Sequence, residues 1–324
     1  MRPILLGVCA AFFFASTFVL NRSMELSGGS WLWSASLRYI FMVPFLLGIV
    51  IGQKKLRGLL RVMKEHPGLW LLWSFVGFVL FYAPICYAAA YSPGWLTAGT
   101  WQITIISGSL LAPIFTQKVQ TGSGPVHVRG RIPLKGLGMS MIILAGIILM
   151  QADHAGGITS SELLAGLIPV LIASFAYPLG NRKMMQISGD KLNTFQRVLG
   201  MTLASLPFWL ILSAIAYAKH GMPGKGQIMQ SFLVAIFSGV IATVLFFKAT
   251  DMVRDDMDKM ASVEATQSVS VLFALLGEVL FLSSDIPSLL AWTGVLTVML
   301  GMVLHSFSSR KKIVTVNQQL GTKA

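Results

Sequence analysis

Charge is what this sequence has least of. Only 11% of its 324 residues are Asp, Glu, Lys or Arg, while 55% are hydrophobic. Soluble domains carry about a quarter charged residues, so too little polar surface exists here to cover a core of this size, and a water-soluble globule is excluded. Acids are scarcer still: 12 against 25 bases, a net charge of +13. In a soluble protein that excess would suggest nucleic acid. With a mean hydropathy of +0.73, the question becomes which side of a membrane holds the bases. Cysteine is nearly absent, and Cys9 and Cys86 each lie within an apolar run, which excludes a disulfide framework. Four of the five histidines fall between apolar runs and only His305 lies inside one, near its end. There is no HExxH, no cysteine cluster and no Ser/His pairing at membrane depth, so neither metal nor cofactor is expected. No P-loop is present either, which argues against ATP-driven transport by this chain alone.

What the sequence does have is long apolar runs. Crossing a hydrocarbon core takes about 20 apolar residues as helix, because backbone polar groups must bond within the segment. Ten stretches qualify: 3–20, 31–52, 69–91, 95–115, 132–152, 163–180, 195–217, 231–250, 261–282 and 288–307. The first reads as a retained helix rather than a cleaved signal peptide, since more spans follow it. Residues 116–131 contain Thr-Gly-Ser-Gly-Pro and read as a flexible cytoplasmic linker between spans four and five.

The bases test this count. With the N-terminus inside, nineteen bases fall on the cytoplasmic side, among them Lys54, Lys55, Arg57, Arg61, Lys64, Arg182, Lys183, Lys191 and Arg254; the outer side holds only Arg22, Lys219 and Lys225. Deleting the fifth span, the least apolar, flips every later loop and evens the split. The positive-inside rule therefore favours ten spans with both termini cytoplasmic.

An internal repeat accompanies the spans. Asn-Arg-x-Met occurs at 21–24 and again at 181–184. Arg38 with Met42 matches Arg197 with Met201, Phe75 and Gly77 match Phe237 and Gly239, and Gln102 matches Gln267. Glycine pairs, Gly138 with Gly146 and Gly294 with Gly301, mark spans five and ten. The common order and near-constant offset point to a five-plus-five duplication. A unit with an odd number of spans enters the membrane in the opposite sense the second time, and inverted repeats of this kind are the architecture of many secondary transporters.

Leu-Leu-Gly-Glu-Val-Leu at 275–280, the turn Asp285, Ile286 and Pro287 with the glycine-spaced last span, and Trp95 to Pro113 carry a further likeness. On these segments the chain resembles the drug/metabolite transporter superfamily, in its ten-helix, EamA-like form, and within it the multidrug resistance efflux transporter branch. The resemblance extends to about Ser308. It implies an all-α integral membrane protein with a central cavity bounded by spans one to four and six to nine, and spans five and ten outside. The small exporters of that superfamily use a glutamate in their first helix; no acid occurs at 3–20 or 163–180 here, so that exchange mechanism does not carry over.

The expected organisation is thus 1–152 as the first five-helix repeat, 153–307 as the second and 308–324 as a basic cytoplasmic tail. Ionisable groups at bilayer depth are functional candidates by default. Arg38, seven residues into span two, is the foremost, with pairing to a carbonyl or acid as the structural alternative. Arg197 is its repeat mate, closer to a span end. Span nine carries Glu264, Gln267, Val271, Ala274 and Glu278 on one stripe. Glu264 and Glu278 are the proton-coupling candidates. Thr97, Trp101, Thr104 and Gly108 share a face of span four that suits either a planar ligand or close helix packing.

The reading is a secondary active transporter that exports a small organic drug or metabolite by alternating access, coupled to a proton or other ion. An amino-acid, anionic or zwitterionic metabolite carrier of the same fold is the second reading, and a membrane enzyme or scaffold the rival from another class. The partners implied are a small-molecule substrate, the coupling ion and the lipid of the cell membrane. A homodimer stays open.

Overall fold

The structure, a computed structural model of the chain, describes residues 2–121, 124–130, 132, 134–155, 159–282 and 286–304. It is helical apart from one hairpin. In chain order the helices are α1 (Arg2–Leu26), α2 (Trp31–Gly52), α3 (Leu56–Glu65), α4 (Pro67–Ala88), α5 in two pieces (Gly94–Thr100 and Ile103–Leu110), α6 (Leu134–Ala155), α7 (Ser160–Ser188), α8 (Thr194–His220), α9 (Lys225–Asp251), α10 (from Met257 to Phe281) and α11 (Leu289–Leu304). Seven of them, α1, α2, α4, α7, α8, α9 and α10, are long and apolar enough to cross a membrane. The apolar parts of α6 and α11 are shorter, and α5 is interrupted.

Local chemistry sets the ends. Thr159 with Glu162 and Asn193 with Gln196 form capping boxes that start α7 and α8, each side chain satisfying an otherwise free backbone N–H. Gly189 (φ 50) and Gly221 (φ 70) follow the ends of those helices in the left-handed region, which a side chain would strain.

Four features differ from the sequence expectation. The stretch read as a flexible linker is a two-stranded antiparallel hairpin, β1 (Thr116–Thr121) against β2 (Gly124–Arg129), with Thr116 opposite Arg129 and Val119 opposite Val126; alternating Val and polar residues suit a strand. The basic segment after α2 is the helix α3, which buries Leu59 and Val62 and exposes Arg57, Arg61 and Lys64. Both α1 and α7 run past their apolar stretches, so Arg22 and Arg182 lie inside helices rather than loops. The break in α5 falls at Trp101–Gln102. The basic tail and His305 lie outside the described residues.

Packing follows an exchange pattern. α1 lies against α9 and α10, whereas α7 lies against α4 and α5; α2 packs along α8. Close crossings use glycine. A Cβ on Gly180 would overlap the backbone of Gly77, so α7 and α4 touch main chain to main chain. α6 and α11 meet through Gly146, Gly294 and Gly301: a Cβ on Gly146 would sit 2.6 Å from the Gly294 carbonyl oxygen, and one on Gly301 the same distance from Ile143.

Helical irregularities recur at matching places. α4 contains a π-helical segment at Phe75–Val79 and α9 one at Ala235–Ala242. α5 breaks at Trp101–Gln102, and α10 tightens to a 3-10 turn at Thr266–Ser268. Such departures from the i to i+4 ladder free backbone polar groups, and at membrane depth they are tolerated only where protein or a cavity surrounds them.

Candidate functional site

The two breaks face each other. Gln102 Nε2 donates to the Ala98 carbonyl at 2.7 Å and to the Gln267 carbonyl at 3.3 Å, which joins the interruption in α5 to that in α10. Gln102 Oε1 and Gln267 Nε2 are buried with no partner among the described residues. Beside them lies a central cavity of ≈ 20 Å³ lined by Phe14, Thr17, Phe18, Phe81, Ile85, Trp101, Tyr177, Ser238 and Gln267. That volume admits about one water, whereas small-molecule sites run to ~300 Å³ or more. In this conformation the centre is closed.

Two adjoining clefts open at the end that carries Lys54, Lys55 and Lys191. One of ≈ 590 Å³ runs along those lysines to Asn193, Asp251 and Arg254, and one of ≈ 370 Å³ runs from Asp190 and Arg254 past Met185 to Phe115 and Arg182. At this rim the Asp190 carboxylate bonds Arg254 and holds its guanidinium above its ordinary value. Lys191 Nζ sits 2.7 Å from Glu65 and holds that carboxyl below its ordinary value.

Arg182 closes the floor of the smaller cleft. Its Nη2 lies 2.7 Å from Glu264 Oε2 and 2.8 Å from Oε1, its Nε 3.1 Å from Oε1, and its Nη1 donates to the Gly108 carbonyl at 2.7 Å. One guanidinium therefore ties α7, α10 and α5. Gly108 is needed there because a Cβ would overlap the Glu264 carboxylate. Both charges are buried. Removing one member of such a pair costs about 3–5 kcal/mol, because the other is left uncompensated.

At the opposite end the tie is Glu278. Its Oε1 accepts from the Gly94 N–H at 2.6 Å and its Oε2 from the Trp95 N–H at 3.2 Å, so α10 supplies the acceptors for the free amides that start α5. Nearby, Arg22 Nη1 donates to the Ala89 carbonyl at 3.0 Å.

Arg38 has no such partner. It is 1% exposed, its Nε and Nη1 are buried without an acceptor among the described residues, and its guanidinium lies 3.9 Å from the Tyr82 ring centroid and 5.3 Å from that of Tyr39. Tyr39 is stacked on Trp209 at 4.5 Å, which fixes the platform. A desolvated cation–π contact contributes about 2 kcal/mol, less than the roughly 2.5–3.5 kcal/mol a lone charge costs at the centre of a spanning helix. The repeat mate is different: Arg197 is ion-paired with Asp251, donates to the Phe247 carbonyl at 3.3 Å and lies 4.9 Å from the Phe247 ring.

The remaining candidates sort by geometry. Trp101 and Gln267 reach the central cavity. Thr97 turns its hydroxyl back to the Pro93 carbonyl at 3.1 Å, and Thr104 donates to the Ser174 carbonyl at 3.1 Å, so both serve helix contacts. Glu264 and Gln267 share a stripe, yet Gln267 lies within the 3-10 turn at the central cavity and Glu264 faces Arg182 instead. Hydropathy alone places Arg182 in a loop, whereas it lies inside α7. The repeated Asn-Arg pair was the available signal: Asn21 donates to the Tyr82 hydroxyl at 3.2 Å, Asn181 donates to the Thr250 hydroxyl at 3.4 Å, and each crosses to a neighbouring helix.

A bundle of long apolar helices, with closely packed glycines and buried charges aimed inward, is a multi-pass membrane protein. Residues 1–311 match the family described as "EmrE: Putative multidrug resistance efflux transporter", and the chain belongs to that family. It is a membrane transporter family, which implies a small-molecule substrate and residence in the lipid of the cell membrane. The chain is 58% identical over 312 residues, 96% of each chain, to "Uncharacterized protein YjlA" of Bacillus subtilis (strain 168). It is 49% identical over 268 residues, 83% of this chain and 70% of the other, to "Uncharacterized 42.1 kDa protein in intracellular alkaline protease 3'region" of Shouchella clausii. A solved structure described only as "Crystal structure of protein" matches with a TM-score of 0.64 at 13% identity, over 95% of this chain and 98% of that one, a likeness of fold.

Proposed function

We propose that the chain is a secondary active transporter that exports a small organic molecule by alternating access, with proton exchange as the drive. The observation that carries this reading is the pair of helix interruptions in α5 and α10 that face each other through Gln102 and Gln267 beside the central cavity. Broken helices around a central site are how transporters present backbone polar groups to a substrate. Ten membrane helices in two inverted five-helix repeats, 1–152 and 153–307 with both termini cytoplasmic, are supported by the matched π segments, the matched breaks and the exchange of α1 on α9 and α10 for α7 on α4 and α5.

On this reading Trp101 and Gln267 contact substrate in the opened cavity, with Arg38 beside it. The Glu278 tie to α5 closes the outer side, and the clefts at the lysine-rich end form the cytoplasmic entrance. Glu264 carries the coupling proton: protonation removes the carboxylate charge that holds Arg182, loosens α7 from α10, and lets the cytoplasmic half rearrange. Arg197, already neutralised by Asp251, is structural.

Purified protein in liposomes under a pH gradient, assayed against a broad panel of solutes, is expected to move at least one of them. Glu264→Gln should bind the solute and lose its dependence on the gradient. Folded protein inert to the whole panel would overturn the reading.

A further inference from the structure

We infer that the substrate is an organic anion: a carboxylate on a flat apolar body, the carboxylate paired with Arg38 and the body held by the aromatic cavity. The inference rests on the transport reading above and gives it a substrate class.

Arg182 and Arg197, the other fully buried arginines among the described residues, each face a carboxylate of the chain, Glu264 and Asp251. The repeat offset of 162 that relates Gly77 to Gly239 carries Asp251 onto Ala89. The counter-charge present in the second half is therefore absent from the first. The nearest acid along the chain, Glu25, makes no ion pair with Arg38 among the described residues, and its own Oε1 is buried without a hydrogen-bond partner. The groups seen against the Arg38 guanidinium are neutral, the Tyr82 and Tyr39 rings. A buried cation with two free donors and no acid is completed by a ligand that brings the negative charge.

The body of that ligand follows from the adjoining space. Ser238 lines the central cavity, and the next residue, Gly239, is packed against Met42 with Arg38 beside it: a Cβ there would lie 2.6 Å from the Met42 sulfur and 3.4 Å from Arg38 Nε. Phe81 lines the same cavity, and the next residue, Tyr82, carries the guanidinium on its ring. The cavity walls are mainly aromatic, with Phe14, Phe81, Trp101 and Tyr177 among them, and include no acid. Such walls stack a planar apolar group. A lipophilic cation entering there would meet an unpaired positive charge and no carboxylate.

The test uses three probes of one shape: 2-naphthoate, 2-naphthamide and 2-naphthylmethylammonium. Binding to the detergent-solubilised full chain is measured by calorimetry and tryptophan fluorescence. Naphthoate is expected to bind at least tenfold more tightly than the other two. Arg38→Gln should bring the three together, and Arg38→Lys should keep part of the preference. The order of affinities for the unsubstituted protein stands without any variant. Equal or tighter binding of the ammonium probe, no binding of naphthoate at millimolar concentration, or a preference that survives in folded Arg38→Gln would each overturn the inference. Flux in liposomes separates the two levels. Movement of the ammonium probe without naphthoate binding sinks the anion site and keeps the transporter; Arg38-dependent naphthoate binding with no flux of any solute keeps the site and sinks the transporter.

Discussion

Replacing each buried arginine by methionine should give opposite signs of stability change. Arg182→Met leaves the Glu264 carboxylate buried beside Gly108 with its three contacts to the guanidinium gone, and breaking a buried pair this way costs about 3–5 kcal/mol. Arg197→Met orphans Asp251, which is partly exposed and keeps its bond from the Thr194 hydroxyl at 2.9 Å, so a smaller loss of about 1–3 kcal/mol is expected. Arg38→Met orphans no acid. It removes a lone buried charge that costs roughly 2.5–3.5 kcal/mol and forfeits a cation–π contact of about 2 kcal/mol, for a net gain of about 1 kcal/mol, with methionine filling most of the space. Thermal unfolding of the three purified variants in detergent, followed by a fluorescent thiol or intrinsic tryptophan signal, orders them directly. The predicted order is Arg38→Met above the unsubstituted protein, Arg197→Met below it and Arg182→Met lowest. Adding Glu264→Gln to Arg182→Met should recover part of the loss. An Arg38→Met variant as unstable as Arg182→Met would mean that Arg38 has a structural partner, and the charge-balance reasoning would fail.

Other expectations follow from single contacts. Gly180→Ala drives a methyl into the backbone of Gly77 and should cost about 3 kcal/mol or more, seen as poor folded yield, while Gly138→Ala, with open space around it, should be neutral. Glu278→Leu leaves the Gly94 and Trp95 amides without acceptors, about 1–3 kcal/mol each, and should loosen the outer end; hydrogen exchange at 94–97 should rise, and Glu278→Gln, which keeps an acceptor, should show less of it. The Lys191–Glu65 tie has a lowered carboxyl pKa, so it contributes above the unfolded value and is lost as pH falls through the folded one. Unfolding midpoints of Lys191→Ala and the unsubstituted protein should therefore converge at acid pH and in high salt.

Much of this was legible in the amino-acid order. Apolar runs located the helices, because spanning segments must satisfy their own backbone. Arg38 stood out as a base far from any span end, and among the buried arginines of the described residues it is the one without a carboxylate partner. Gln102, matched with Gln267 by the internal repeat, reaches the Gln267 carbonyl on another helix. What hydropathy missed has one physical cause: it counts apolar runs, whereas helices continue wherever polar side chains find partners in the bundle. Arg182 thus read as a topological loop charge although Glu264 and Gly108 receive it inside. Breaks were hidden for a related reason. Trp-Gln-Ile-Thr and Thr-Gln-Ser contain no proline or glycine, and their departure from helix is compensated by contacts across the bundle that no local pattern records.

Transport by alternating access requires one central site reached in turn from both faces. It is tested most directly by Gln267→Cys in a chain with Cys9 and Cys86 replaced by alanine, reconstituted in liposomes of known orientation. A membrane-impermeant thiol reagent added to either face should modify the new cysteine, with the balance shifted by the pH gradient and by a transported solute, and without any ion leak through the liposomes. Modification from one face alone under every gradient and solute would contradict the claim.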